Sequence, residues 1–434
     1  MHVKKHLSFS GLRKIASQRF EQVEDQRRGP VEYSIHDCLM SALAMMFFQD
    51  PSILQFQKRL QETANRNNLQ TLFNVEKIPA ETQMRDVIDS CEPDRIEAVF
   101  TDFYRNLQRG KQLNGYQVLD GRYLILLDGS EYFSSEKIHC PGCLRKESQK
   151  GKIRYHHQIL QAVLAHPDQK VVIPLAPEQV RNEDGTEKQD CEINAGKRIL
   201  HDIRKAHPKL RIIIGGDGLY SKQPFINELK KARMSYVLVA KSTDHKVLFE
   251  WVDELRAMGE TSRLELKDHK GNTHLYQWTN QVPLNGQAQS DDVNFFEYSL
   301  IRKDGKVTFY NSWVTDIEVD RHNIVELVKI GRARWKVENE AFNTLKNQGY
   351  HIEHNFGHGK NNLSYIFFLL NLLAFTIHQI GQLCDPLYQR CRGKFTSRKE
   401  FWNQLRCTLR IIVFSTWESL LSLIIDPDNW KPPP

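Results

Sequence analysis

Tyr123-Leu-Ile-Leu-Leu-Asp128-Gly129 and Ile212-Ile-Ile214-Gly-Gly-Asp217-Gly218 are two short apolar runs that each end on an aspartate beside a glycine. An unbroken apolar run bounded by turn residues is the pattern of a strand covered on both faces, because a strand with one wet face would alternate. Both aspartates are therefore placed at the carboxyl ends of buried strands, where sheets gather ligands. A third acid comes from Arg334-Trp-Lys-Val-Glu338-Asn-Glu-Ala-Phe342-Asn-Thr-Leu345-Lys346, whose apolar residues recur at helical spacing. Turned at about 100° per residue, Trp335, Ala341, Phe342 and Leu345 cover one face with Glu338 inside it, and Glu340 points the opposite way. A carboxylate in an apolar face is costly without a cation. Arg334, one turn earlier, offers the alternative of a structural ion pair.

Around these runs the chain divides by periodicity. Residues 1–117 read as a helical region: Ser34 starts a helix running through Leu39, Leu43 and Met46, and Pro79-Ala-Glu-Thr82 starts another with Met84, Val87 and Ile88. Residues 118–240 alternate. The pattern predicts strands at 123–128, 156–164 and 171–175, a helix over 192–206, a strand at 211–214, a helix over 224–232 and a strand at 236–239. That order predicts an α/β fold, a ribonuclease-H-like mixed sheet flanked by helices. Residues 241–320 read as a β-rich insertion, with Lys303-Asp-Gly-Lys306 as a hairpin turn. Residues 321–383 complete the domain with the Glu338 helix and a buried helix from Leu363 to Ile380, whose Asn371, Thr376, His378 and Gln379 argue against a membrane span. Residues 384–434 read as a basic tail.

The net charge is +7 and the pI near 8.8, compatible with a polyanionic partner without demanding one. The basic excess gathers near the ends, with seven Lys/Arg against three acids in residues 1–30 and seven against two in 385–415. These segments are candidate phosphate-backbone surfaces, making 1–117 the expected DNA-binding region. The first residues lack the apolar stretch of a signal peptide, and eight scattered cysteines form no disulfide framework. Both point to a reducing, cytoplasmic setting.

Three carboxylates suit Mg²⁺, which prefers oxygen ligands and is held by few of them. They can carry two ions about 4 Å apart for in-line displacement at phosphorus. The strand-Asp-Gly around Asp128, the strand-Gly-Asp-Gly-Leu-Tyr around Asp217, the β-rich insertion and Arg334-x3-Glu338 followed by Lys346 together resemble a DDE transposase of the IS4-like insertion-sequence group, over roughly residues 118–383. In that group the pattern is Tyr-x2-Arg-x3-Glu-x6-Lys. Here Gly331 holds the tyrosine position and seven residues separate Glu338 from Lys346.

The resemblance implies catalytic and metal-binding roles for Asp128, Asp217 and Glu338, with Mg²⁺ as cofactor and Mn²⁺ as its substitute. It implies double-stranded DNA as partner, both the terminal inverted repeats of a prokaryotic mobile element and the target. It also implies a homodimer or larger assembly on paired ends at the nucleoid, with no membrane and no small-molecule substrate. Arg334, Lys346, His358 and Lys360 are candidates for phosphate or DNA contacts. Trp278 and Trp313 are candidates for base stacking, with core packing as the alternative. Two rival classes stay open: a metal-dependent nuclease without strand transfer, and a domesticated DNA-binding protein that has lost catalysis.

Cys140-Pro-Gly-Cys143, preceded by His139 and followed by His156 and His157, has the spacing of half a zinc site and is a candidate second metal site, with two unlinked thiols at a surface turn as the alternative. His156 and Cys191 are the candidates to complete a structural Zn²⁺ set.

Overall fold

Arg122–Ser135 (β1) and Ile212–Gly216 (β4) are adjacent parallel strands, and the rest of the sheet is built outward from them. Between them in sequence lie β2 (Leu144–Glu147) and β3 (Ile153–Ala165); after them come β5 (Ser235–Val239), β6 (Ser262–Lys267), β7 (Thr273–Pro283), β8 (Asp292–Ile301) and β9 (Val307–Thr315). Their order across the sheet is β2-β3-β1-β4-β5-β9-β8-β7-β6, and three short strands, Gln117–Val118, Ile173–Pro174 and Glu178–Val180, pair with β1 or β3 to make twelve. The computed structural model describes residues 3–182, 190–287 and 290–431; residues 1, 2, 183–189, 288, 289 and 432–434 lie outside it.

The β1/β4 and β4/β5 pairs are parallel and the others antiparallel, giving the mixed sheet of a ribonuclease-H-like fold. Parallel neighbours need crossovers. The Glu192–Ala206 helix leads into β4, and the Gln223–Lys231 helix joins β4 to β5. The first buries Ala195, Ile199, Leu200 and Ile203 along one stripe, the spacing of a helix laid on a sheet. The strand expected at 171–175 shrinks to Ile173–Pro174, because proline has no N–H to give to the ladder.

The 241–320 segment opens with a helix, Lys246–Ala257, before its four strands. Periodicity is weak there, since only Leu248 and Val252 are buried and Trp251 faces solvent. The strands extend the main sheet, β9 pairing with β5 along Trp313↔Val239.

Leu363–Cys384 is a 22-residue helix buried through Ile380, as expected of a core helix. It is apolar enough to cross a membrane, yet 94% of its most apolar window is covered by protein. Its polar side chains find partners inside the protein: Asn371 Nδ2 donates to the Tyr350 carbonyl at 2.7 Å, Thr376 Oγ1 to the Leu372 carbonyl at 2.8 Å, and Tyr350 Oη lies 2.6 Å from His378 Nδ1, while Asn371 Oδ1 and His378 Nε2 are buried without a hydrogen bond.

The segment read as a basic tail is three helices, Pro386–Gly393, Arg398–Leu409 and Trp417–Ile425, locked onto the N-terminal helices. Phe47 packs against Trp402 and Trp417 at ring separations of 5.4 and 5.2 Å. Buried Asn68 donates to the carbonyls of Leu409 and Ile412 at 2.9 and 2.7 Å and accepts from the Phe414 N–H at 2.8 Å. Arg410 pairs with Glu62 at 2.6 Å, and Arg406 donates to the Phe48 carbonyl at 2.5 Å. Two of the basic residues expected at a DNA surface are thus committed to the protein's own packing.

Asn68→Ala leaves three buried backbone groups unpaired. We expect it to lower stability by about 2–4 kcal/mol, read as a reduced denaturant midpoint, with faster proteolysis between Arg398 and Trp417.

Candidate active site

The register of β1 on β4 brings the two aspartates together. Tyr123↔Ile212, Leu124↔Ile213, Ile125↔Ile214 and Leu126↔Gly215 are each offset by 89 residues. Asp128 and Asp217 share that offset, two positions beyond the last residues paired between these strands. Asp217 follows the end of β4, but Asp128 does not end β1 as expected: the strand runs on to Ser135 because β3 continues to pair with it, Asp128 opposite Gln161, so only the pairing with β4 stops short of the aspartate. Asp217 leaves its strand into a turn in which its Oδ1 accepts the Leu219 N–H at 2.9 Å. Asp128 is only partly exposed, and Arg334 Nη1 approaches its Oδ2 at 3.9 Å.

Burial pushes the Asp128 carboxyl up to about 6; Arg334 opposes this, and Asp217, Glu192 and Glu338 reinforce it. Glu338 therefore lies within electrostatic reach of Asp128. Four carboxylates facing one guanidinium form an under-compensated negative cluster, the donor set into which a hard divalent cation fits.

The helix carrying Glu338 differs from its expected form. Val337–Phe342 is π-helical, the Asn343 N–H bonding the Glu338 carbonyl five residues back. That looser winding breaks a wheel drawn at α-helical pitch. Val337, Ala341, Phe342 and Leu345 are buried, whereas Trp335 is 43% exposed and Glu338 is exposed rather than set in the apolar face. The departure at Gly331 has a packing cause. A Cβ there would stand 2.6 Å from the Trp313 indole, so Trp313 fills the space a side chain at 331 would need.

Glu192 was not singled out in the sequence. Its carboxylate accepts from Tyr220 Oη at 2.5 Å and from Gln158 Nε2 at 2.9 Å, and burial raises its pKa, with Asp217 adding to the effect. It packs so closely on Gly129 that a Cβ there would displace the Glu192 carboxylate. A glycine beside a candidate ligand was the available signal, since it marks close approach of another group.

The other candidates divide. Trp278 and Trp313 are buried, Trp313 stacking on Phe296 at 5.3 Å, so neither offers a face to a base. Lys346 is paired with Glu353 at 2.9 Å. Lys360 is exposed, with its backbone N–H bonded to Asp89 at 2.9 Å. His358 is buried against Cys143 rather than presented to DNA.

Cys140 and Cys143 do meet two further ligands, but these are His157 and His358, not His156 and Cys191. Neighbouring strand residues point to opposite faces. His156 therefore turns toward Glu131, 3.9 Å away, while Cys191 is exposed ahead of the Glu192–Ala206 helix. Among the described residues this Cys/His cluster is the group whose ligand atoms converge within 4.8 Å. The carboxylates are spaced more widely.

Because folded Asp128 keeps its proton to about pH 6 while an unfolded aspartate loses it near 4, the unfolded chain binds fewer protons between these values. Stability must fall as pH rises through that window. Asp128→Asn cannot ionise, so without divalent ions we expect it to be more stable than wild type at pH 7.5 by roughly 1–3 kcal/mol, the difference vanishing below pH 4. Added Mg²⁺ should raise the wild-type melting temperature more than the variant's. Thermal melts across pH, with and without Mg²⁺, check both.

None of the curated proteins matches this chain. The family model described as transposase DDE domain matches residues 148–376, a span that contains Asp217 and Glu338 and begins after Asp128. With more than half of the sequence matched, the chain belongs to the DDE-domain transposase family.

Proposed function

We propose that this protein is a cut-and-join transposase of the IS4-like group, which binds the terminal inverted repeats of a mobile DNA element, cleaves there and joins the freed 3′-hydroxyl to target DNA. The observation that carries the reading is the parallel register that sets Asp128 beside Asp217, within electrostatic reach of Glu338. Divalent ions of the Mg²⁺ class, when bound by these three residues, would supply the charge that stabilises the entering and leaving oxygens at phosphorus. Both chemical steps are displacements at phosphorus, so one site serves both.

The chain's own groups prepare that site. Asp128 carries a proton more readily than an ordinary aspartate, so the site is fully anionic only above about pH 6. Arg334 holds Asp128 toward the carboxylate form and offers a guanidinium to a phosphate oxygen, a role for which its planar fork suits it. Glu338, exposed on its π turn, can reach into a cleft without the cost of burial. The partners under this reading are double-stranded DNA ends and target, held by a homodimer or larger assembly in a prokaryotic nucleoid.

Asp128→Asn, Asp217→Asn and Glu338→Gln should each reduce Mg²⁺- or Mn²⁺-dependent cleavage by about 10²-fold or more, while gel-shift binding of end DNA persists. Glu340→Gln should cut within a few-fold of wild type. A Glu338→Gln protein with normal cleavage would move the third ligand elsewhere. Incubating the protein with a pre-cut end and a plasmid target should yield joined products; hydrolysis alone, with no joining, would make it a nuclease. Inverted repeats flanking the gene, with short direct duplications beyond them, are the expected genomic signature.

A further inference from the structure

We propose that Cys140, Cys143, His157 and His358 form a closed structural zinc site that pins the β2–β3 hairpin to the loop between the Glu338 segment and the core helix. The inference is independent of the transposase reading. The four ligand atoms face one another: Sγ–Sγ is 3.8 Å, His157 Nε2 lies 3.6 and 3.5 Å from the two sulfurs, and His358 Nε2 lies 3.7 Å from Cys143 Sγ. A tetrahedral zinc with bonds of about 2.3 Å to sulfur and about 2.05 Å to nitrogen has S···S edges of about 3.8 Å and S···N edges of about 3.6 Å. Four of the six edges of the cluster match that tetrahedron, and the other two lie within 4.8 Å. A disulfide would need the sulfurs near 2.05 Å.

The surroundings hold the ligands in place. The Cys140–Cys143 turn is closed by the Cys143 N–H on the Cys140 carbonyl at 3.1 Å, and the Cys140 N–H points at Cys143 Sγ at 3.4 Å. His157 stacks on Tyr132 at 5.7 Å, and His358 packs on Phe133 at 4.3 Å. Two sulfurs and two imidazoles favour zinc over Mg²⁺, whose preference is for oxygen. With four protein ligands no position is left for water or substrate, which makes the ion a clamp rather than a reagent. What it clamps is specific. Cys143 leads directly into β2 and His157 lies on β3, so the ligands close the base of a hairpin bearing exposed Lys150 and Lys152. His358 belongs to the segment that follows Glu338, 215 residues from Cys143.

The test is metal content of the full chain purified from zinc-supplemented cells without chelator and with thiols kept reduced. About one zinc per chain is expected, and Cys143→Ser and His358→Ala should each lose most of it, whereas Cys191→Ser, His156→Ala and Asp128→Asn should keep it. Should the ligand variants fail to fold, Co²⁺ exchange into the wild type must give the visible bands of a tetrahedral thiolate site. Chelation should also open residues 137–157 and 349–362 to protease. Zinc-free wild type that also fails to take Co²⁺, a Cys140–Cys143 disulfide in the native protein, zinc loss on Cys191→Ser or His156→Ala but not on His358→Ala, or unchanged proteolysis after chelation would each overturn the proposal.

Discussion

Like charges held close together in a partly buried cleft are the constraint around which this molecule is organised. Asp128 and Asp217 cannot avoid one another, because the strands that carry them are parallel neighbours in a fixed register. Glu192 and Glu338 add to the same field, which Arg334 compensates only in part. Such a cluster is unfavourable by itself and becomes favourable in the presence of a cation. The apolar runs behind the aspartates anchor it, since residues 124–127 and Ile212–Gly216 are buried and paired in one register.

The same pairing dictates much of the surrounding architecture. Parallel strands require crossovers, and the Glu192–Ala206 helix both supplies one and delivers Glu192 to the cleft. On the far side of the sheet order, β5 accepts β9 as a further antiparallel neighbour, so the β-rich segment prolongs the main sheet. The core helix Leu363–Cys384 then gives the two chain ends a common floor. Phe47 packs on His378 of that helix as well as on Trp402 and Trp417, which joins the Ile35–Phe47 helix to the last two helices through one aromatic cluster. Within this basic stretch Arg406 and Arg410 bond to the N-terminal helices while Arg390 and Lys399 stay exposed, so net charge along a sequence does not say which cations face a partner.

Where sequence reading and structure part, the cause is local geometry. The helical wheel misplaced Glu338 because one π turn shifts every later residue around the axis. The tryptophans read as stacking candidates are core, one of them occupying the room beside Gly331. The zinc ligands were half legible: the Cys-x2-Cys spacing identified Cys140 and Cys143, but adjacent histidines on a strand face opposite ways and only the sheet decides which one turns inward.

Sequence by itself determined the two apolar strand segments and the end of β4 at Asp217, the helix–strand alternation of the mixed sheet, and the core helix, because each is written in the periodicity of a contiguous segment; that β1 runs on past Asp128 to Ser135 was decided by its pairing with β3. Tertiary structure alone decided the contacts between segments hundreds of residues apart: Glu192 against Gly129, His358 against Cys143, and Asn68 against the chain end. Periodicity reports which face of an element is buried but not what it is buried against, and that choice is made only when elements pack.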